Sequence, residues 1–223
     1  MKHKRSIFPL LVVLACLAMG WVETVPQPPY AVKSALKWLV FGGCVLLGSF
    51  LFREKNFFAF LRMPNWKNLR PALVLSGLAV TAILGGYALL ASWLDLSTVT
   101  GNLGVKEGIT AATFPFVALY ISLGNSFLEE FFFRGFAFLT LRESGCPRLA
   151  QGFSALAFAL YHVTIMGSWF HPVLFVLFTA ALAAAGVLFN LLDRCGSIWP
   201  GWLVHMAANL AINTIGMRLF GIL

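Results

Sequence analysis

Repeated apolar runs, each long enough to cross a lipid bilayer, constrain this chain more than any other feature of its sequence. A transmembrane helix needs about 20 predominantly apolar residues. Seven runs are predicted as spans: Ile7–Val22, Val32–Phe52, Pro71–Leu94, Ile109–Leu141, Leu149–Met166, a run ending at Leu192, and Ile198–Leu219. Only 11% of the residues are charged, against about a quarter in soluble domains, and the mean hydropathy is +0.85. We therefore predict an all-α fold, a polytopic transmembrane helix bundle of about seven or eight spans.

The 223 residues are expected to form one integral-membrane domain, residues 1–223, because no internal repeat or change of composition divides them. The basic segment Met1–Arg5 and the apolar run after it resemble the start of a signal peptide. No clear small-residue cleavage site follows by Val22, so we expect the first helix to remain attached.

Basic residues collect in alternate loops and predict the orientation of the chain. One side of the bundle would hold eleven of them: Lys2, Lys4, Arg5, Arg53, Lys55, Arg62, Lys67, Arg70, Arg142, Arg148 and Arg194. The other side would hold four: Lys33, Lys37, Lys106 and Arg218. Because cytoplasmic loops carry the excess of Lys and Arg, we expect a multi-pass protein of the bacterial inner membrane with a cytoplasmic N-terminus and the C-terminus outside. The net charge of +8 thus indicates the lipid bilayer as partner and no nucleic acid.

Three charges interrupt the fourth apolar run, within the sequence FLEEFFFRGF at residues 127–136. Charge at membrane depth is costly, so it is rare unless it is paired or functional. Glu130 and Arg134 are four residues apart, the favourable order for an ion pair on one helical face. Glu129 lies about 100° round the helix and has no cation on that helix, although Asn125, one turn earlier, could donate a hydrogen bond to it. We therefore interpret Glu130, Arg134 and Asn125 as structural or orienting residues and Glu129 as the carboxylate available for chemistry.

Further polar residues lie in the later spans, namely His162 in the fifth and His205 and Asn209 in the seventh. Their depths can be counted from the predicted cytoplasmic ends of their helices. At 1.5 Å per residue, Glu129, His162, His205 and Asn209 lie at ~20, ~21, ~16 and ~22 Å, respectively. Three helices would thus bring polar groups to one layer, which predicts a site within the membrane.

These residues form three patterns, Glu129-Glu130-x-x-x-Arg134, Phe158-x-x-x-His162 and His205-x-x-x-Asn209. Together they resemble the three motifs of the CPBP (CAAX protease and bacteriocin-processing, or Abi) family of glutamic-type intramembrane endopeptidases. The resemblance covers about residues 112–215, the expected catalytic core. The first three spans carry no motif.

The resemblance implies hydrolysis of a peptide bond in a membrane-associated protein or precursor peptide, without a cofactor. Glu129 would be the general base, and His162 would help to hold and activate a water molecule. His205 and Asn209 would donate hydrogen bonds to the developing oxyanion.

Other functions remain open at this stage. A zinc-dependent intramembrane metalloprotease could use the same residues, although no H-E-x-x-H motif is present and the four cysteines form no C-x-x-C pair. A non-enzymatic bacteriocin self-immunity or scaffold protein would hold the polar layer for structure alone. A transporter could use Glu and His as a proton relay, but the inverted repeats of many transporters are missing.

Overall fold

The computed structural model describes residues 2–52, 56–93, 96–166 and 172–223, with the backbone alone for residues 2–6 and 166. Eight helices and no strand occur within these ranges, so the predicted all-α fold is confirmed. They are α1 (Lys2–Thr24), α2 (Tyr30–Phe52), α3 (Trp66–Leu90), α4 (Ser97–Gly101 continued by Asn102–Lys106), α5 (Phe114–Glu143), α6 (Pro147–Met166), α7 (Pro172–Leu192) and α8 (Trp199–Leu219). Predictions for the loop residues Arg53 and Lys55 and for the end of a span at Leu94 lie outside the described residues.

Seven of these helices, all except α4, correspond to the predicted spans. Within the described ranges, five are long and apolar enough to cross a membrane: Ile7–Thr24 of α1, α2, α3, α5, and α7 with the turn that follows it. The centre of α8 carries His205, Asn209 and Asn213, which lower its hydropathy. The number of spans therefore stays a prediction.

Short turns connect the helices that carry the motifs. Gly145, between α5 and α6, and Gly196, before α8, both have φ of 86°, a backbone conformation that is costly for residues with a Cβ atom. Three residues separate α5 from α6, so these helices are antiparallel neighbours. Aromatic rings fill the core beside them, with Phe41 of α2 stacked on Phe132 of α5 at 4.0 Å between centroids.

The regular α-helical bonding pattern is interrupted by π-helical turns at the charged stretch. In α5, residues Ile121–Asn125 and Glu130–Thr140 are π-helical, and they flank the short α-helical segment Ser126–Glu129. A third π-helical turn, Trp38–Gly42, lies in α2. Such turns frequently occur at functional sites because they alter which side chains share a face.

Contacts between loops define the two ends of the bundle. At one end, the Ile198 N–H donates to the Phe60 carbonyl (3.0 Å), and Arg142 Nη1 donates to the Arg194 carbonyl (2.7 Å). At the opposite end, the ring of Phe114 stacks on that of Phe220 at 4.7 Å. The loops that were predicted to be cytoplasmic thus meet at one end, while the side of the membrane that this end faces stays a prediction.

The assignment of Lys33 and Lys37 to loop charges is wrong. Both side chains belong to α2 and are buried, with 4% and 6% of their surfaces exposed. Lys33 Nζ lies 2.8 Å from Glu23 Oε2 and 2.6 Å from Glu107 Oε1. These lysines are buried because carboxylates compensate their charge, and a count of charges along the chain does not reveal such partners.

Candidate active site

Three helices bring Glu129, His162 and His205 together in the interior of the bundle. Glu129 Oε2 lies 3.6 Å from His162 Nε2 and 3.6 Å from His205 Nε2. This oxygen is buried and makes no hydrogen bond within the described residues. One carboxylate oxygen thus has an imidazole nitrogen from each of two other helices 3.6 Å away.

The remaining nitrogen of each imidazole is already held by another group. His162 Nδ1 lies 2.8 Å from the Phe158 carbonyl oxygen, one turn earlier in α6. Because a carbonyl oxygen only accepts, this nitrogen carries a proton. His205 Nδ1 lies 2.7 Å from Glu130 Oε1, where it donates to the carboxylate. Both rings are thus oriented with Nε2 toward Glu129.

Glu130 and Arg134 form the ion pair that their spacing predicts. Arg134 Nε lies 3.2 Å from Glu130 Oε2, and neither side chain is exposed. The guanidinium carbon also lies 4.1 Å from the ring centroid of Phe158 and 4.9 Å from that of Phe189. Cation–π contacts in a desolvated site are each worth about 2 kcal/mol. The pair therefore holds α5 against α6 and α7, while Glu130 orients His205.

Two side chains hold the other oxygen of Glu129. Asn125 Nδ2 donates to Glu129 Oε1 (2.9 Å), the hydrogen bond that the sequence predicts. Lys37 Nζ donates to the same oxygen (2.5 Å). The sequence predicts no cation for Glu129 because helical spacing relates it only to residues of α5. The position of Lys37 within an apolar run, where charge is costly, was the signal that could have revealed it.

Asn209 lies on the His205 face of α8 but binds α5 at another point. Its Nδ2 donates to the Ile121 carbonyl (3.3 Å), and no bond to Glu129 occurs in the described residues. One turn further, Asn213 Nδ2 donates to the Ala118 carbonyl (3.2 Å). Together with the His205–Glu130 bond, these contacts form a row that we call the polar seam between α8 and α5.

The N-terminus of α8 is anchored by a buried residue of the short turn between α7 and α8. Asp193 is fully buried, and its Oδ1 accepts the Gly201 N–H (2.7 Å). A Cβ atom on Gly201 would lie 2.6 Å from Asp193 Oδ2, so only glycine permits this approach. Asp193 thereby fixes the helix that carries His205.

The three site atoms are of the kinds that bind zinc in hydrolases. Nevertheless, among the side chains that the structure describes, no group of three or more His, Cys, Asp or Glu residues could hold a metal ion. Lys37 adds a positive charge next to Glu129, which opposes the binding of a cation at that carboxylate.

In a comparison with protein families, residues 111–211 match the model of type II CAAX prenyl endopeptidase Rce1-like proteins. This segment contains all three motifs, from Glu129 to Asn209. Comparisons with curated proteins and with solved structures give no match. The match agrees with the resemblance that the three motifs show over this segment.

Proposed function

We propose that this chain is an intramembrane endopeptidase of the Rce1-like family of CAAX prenyl endopeptidases, whose family model it matches over residues 111–211. Its substrate is a membrane-associated protein or precursor peptide, and the attacking group is a water molecule activated by Glu129 and His162. The observation that carries the proposal is the approach of Glu129 Oε2 to His162 Nε2 and His205 Nε2, at 3.6 Å each.

The first step is the attack of water on the peptide carbonyl. The water donates hydrogen bonds to Glu129 Oε2 and His162 Nε2, and Glu129 takes one proton as the carbon–oxygen bond forms. General-base catalysis of this kind typically contributes about 10²–10⁴-fold to the rate. Glu129 then returns the proton to the leaving amine nitrogen as the carbon–nitrogen bond breaks.

The second requirement is stabilisation of the oxyanion that forms on the carbonyl oxygen. His205 Nδ1 is held by Glu130, and when Nε2 also carries a proton it donates into the site. The Asn209 amide has two N–H donors, and only one is used by the Ile121 carbonyl. These two side chains supply the oxyanion donors in this mechanism.

Cleavage of a labelled farnesylated peptide that ends in a CAAX sequence tests the proposal, with the purified protein in proteoliposomes. Glu129→Gln and His162→Ala are expected to lose cleavage. Glu23→Gln is the matched control, because Glu23 is also a buried carboxylate with a lysine partner but makes no contact with the site. Cleavage by Glu129→Gln at the wild-type rate would contradict the proposal.

Metal dependence separates glutamic chemistry from the zinc-dependent alternative. We expect cleavage to persist after treatment with a strong chelator and elemental analysis to find no stoichiometric zinc. One zinc per chain, with activity lost on chelation and restored by zinc, would favour the metalloprotease. A folded wild-type protein that cleaves no peptide would favour the self-immunity or scaffold alternative.

A further inference from the structure

Lys37 is the buried cation nearest to the candidate active site, and it lies in none of the three motifs. It belongs to α2, outside the segment that matches the family. Only 6% of its surface is exposed. An ammonium group in such a position is costly unless its environment compensates the charge.

Within the part of the chain that the structure describes, the hydrogen bonds of the ammonium group go to Glu129 and to its partner Asn125. The ammonium group donates to Glu129 Oε1 (2.5 Å) and to Asn125 Oδ1 (2.7 Å), and it lies 4.8 Å from the ring centroid of Tyr161. Asn125 in turn donates from Nδ2 to Glu129 Oε1. The ammonium, the amide and the carboxylate therefore form a closed triangle of hydrogen bonds.

This triangle makes the two oxygens of Glu129 different from each other. Oε1 accepts two hydrogen bonds, whereas Oε2 accepts none within the described residues and lies 3.6 Å from each imidazole Nε2. Rotation of the carboxylate would break both bonds at Oε1. The contacts of Lys37 and Asn125 thus keep Oε2 directed at the two histidines.

Lys37 and Glu129 both lie directly before π-helical segments of their helices. Lys37 is the last residue before the π-helical turn Trp38–Gly42, and Glu129 is the last residue before the π-helical stretch Glu130–Thr140. Both side chains thus lie at junctions between α- and π-helical backbone, where small changes of register redirect side chains.

Lys33 provides a comparison within the same helix. It lies one turn before Lys37 and is equally buried, but its partners are Glu23 and Glu107. These carboxylates belong to the end of α1 and to the loop after α4, and neither contacts the two histidines. The two lysines therefore share their burial and charge, and only Lys37 touches the site.

We propose that Lys37 is a positioning residue for hydrolysis, an inference that rests on the proposed function. Its ammonium group fixes Oε1 of Glu129 so that Oε2 meets the water that His162 also holds. It also compensates the charge of a carboxylate that must be buried to work. Lys37 acts through Glu129 and does not touch the substrate.

The activity test compares three variants in proteoliposomes with the farnesylated CAAX peptide. Lys37→Met is expected to lower kcat by about 10²-fold with KM nearly unchanged, because a small misplacement of a catalytic group costs about that much. Lys37→Arg keeps the charge and is expected to regain part of the rate. Lys33→Met is the matched control. It is expected to lower the unfolding temperature and to keep the wild-type kcat. A folded Lys37→Met protein with wild-type kcat would overturn the proposal. An equal fall of kcat in Lys33→Met would also overturn it.

A double-mutant cycle tests the contact without any cleavage assay. Thermal unfolding is measured for Lys37→Met, Glu129→Gln and the double variant. Each single change leaves one buried charged or polar partner unmatched, whereas the double change removes both. The double variant is therefore expected to unfold at a higher temperature than the sum of the two single shifts predicts.

The two tests also distinguish this proposal from the proposed function. Additive shifts in the cycle would overturn the role of Lys37, whatever the activity. If the wild-type protein cleaves no peptide while the shifts are coupled, the proposed function fails and the contact stands. If Lys37→Met does not fold, recovery of folding in the double variant supports the coupling, and its failure to recover contradicts it.

Discussion

At the scale of single residues, substitution of Asn209 distinguishes most clearly between a catalytic role and a structural role. We expect Asn209→Ala to lower kcat by about 10²–10³-fold with KM nearly unchanged, because an oxyanion donor acts mainly in the transition state. Asn209→Asp should be at least as damaging, since it removes both amide donors and places a carboxylate against the Ile121 carbonyl. The measurement is steady-state cleavage, with thermal unfolding as the control for folding. A fall in the unfolding temperature with unchanged kcat would assign Asn209 to the polar seam alone.

The same scale shows which parts of the site the sequence could predict. The Glu130–Arg134 pair and the Asn125–Glu129 bond join residues four apart on one helix, so helical spacing is sufficient to find them. The meeting of α5, α6 and α8 was predicted from the similar depths of their polar residues. Lys37 is 92 residues from Glu129 along the chain, and only tertiary packing brings the two together. Periodicity carries no information about such a contact.

At the scale of helices, the close approach of α5 to the turn at Ala59–Leu61 depends on Gly135. A Cβ atom at this position would lie 2.5, 2.8 and 2.9 Å from three carbons of the buried Phe60 ring. Overpacking of this kind typically costs about 1–3 kcal/mol. We therefore expect Gly135→Ala to lower the unfolding temperature in detergent.

Gly152→Ala in α6 is the matched control for this change. Among the described residues, no atom outside its own stretch of helix lies within 4 Å of the position of its Cβ, and alanine in a helix is favoured over glycine by about 0.5–1 kcal/mol. The control should therefore be neutral or more stable. Equal effects of the two substitutions would show that the Phe60 contact does not restrict residue 135.

The π-helical turns are the feature of the helices that sequence reasoning missed. Hydrophobic periodicity distinguishes helix from strand, but a change from i→i+4 to i→i+5 bonding leaves the apolar run intact. Glu130–Thr140 contains five phenylalanines and one leucine around the charges, and such a segment has no polar face to fix its period. The direction of each side chain is then decided by packing against the neighbouring helices.

At the scale of the whole molecule, the orientation in the membrane can be tested at the two ends of the bundle. Met63 lies in the loop predicted to be cytoplasmic, and Leu223 lies at the opposite end; they are 69% and 72% exposed. In a background without the four native cysteines, Met63→Cys should resist an impermeant thiol reagent in intact cells and react after permeabilisation. Leu223→Cys should react in intact cells. The reverse pattern would invert the topology that the positive-inside rule predicts.

The polar seam between α8 and α5 also has a consequence for how the chain enters the membrane. If the translocon released α8 into lipid by itself, His205, Asn209 and Asn213 would lack partners, and each unsatisfied polar group in hydrocarbon costs several kcal/mol. Because α5 is synthesised first, its carboxylate and carbonyl groups are already present when α8 emerges. We therefore expect lateral exit of α8 from the translocon to be coupled to its docking on α5, so that integration of this helix and assembly of the candidate active site occur as one event.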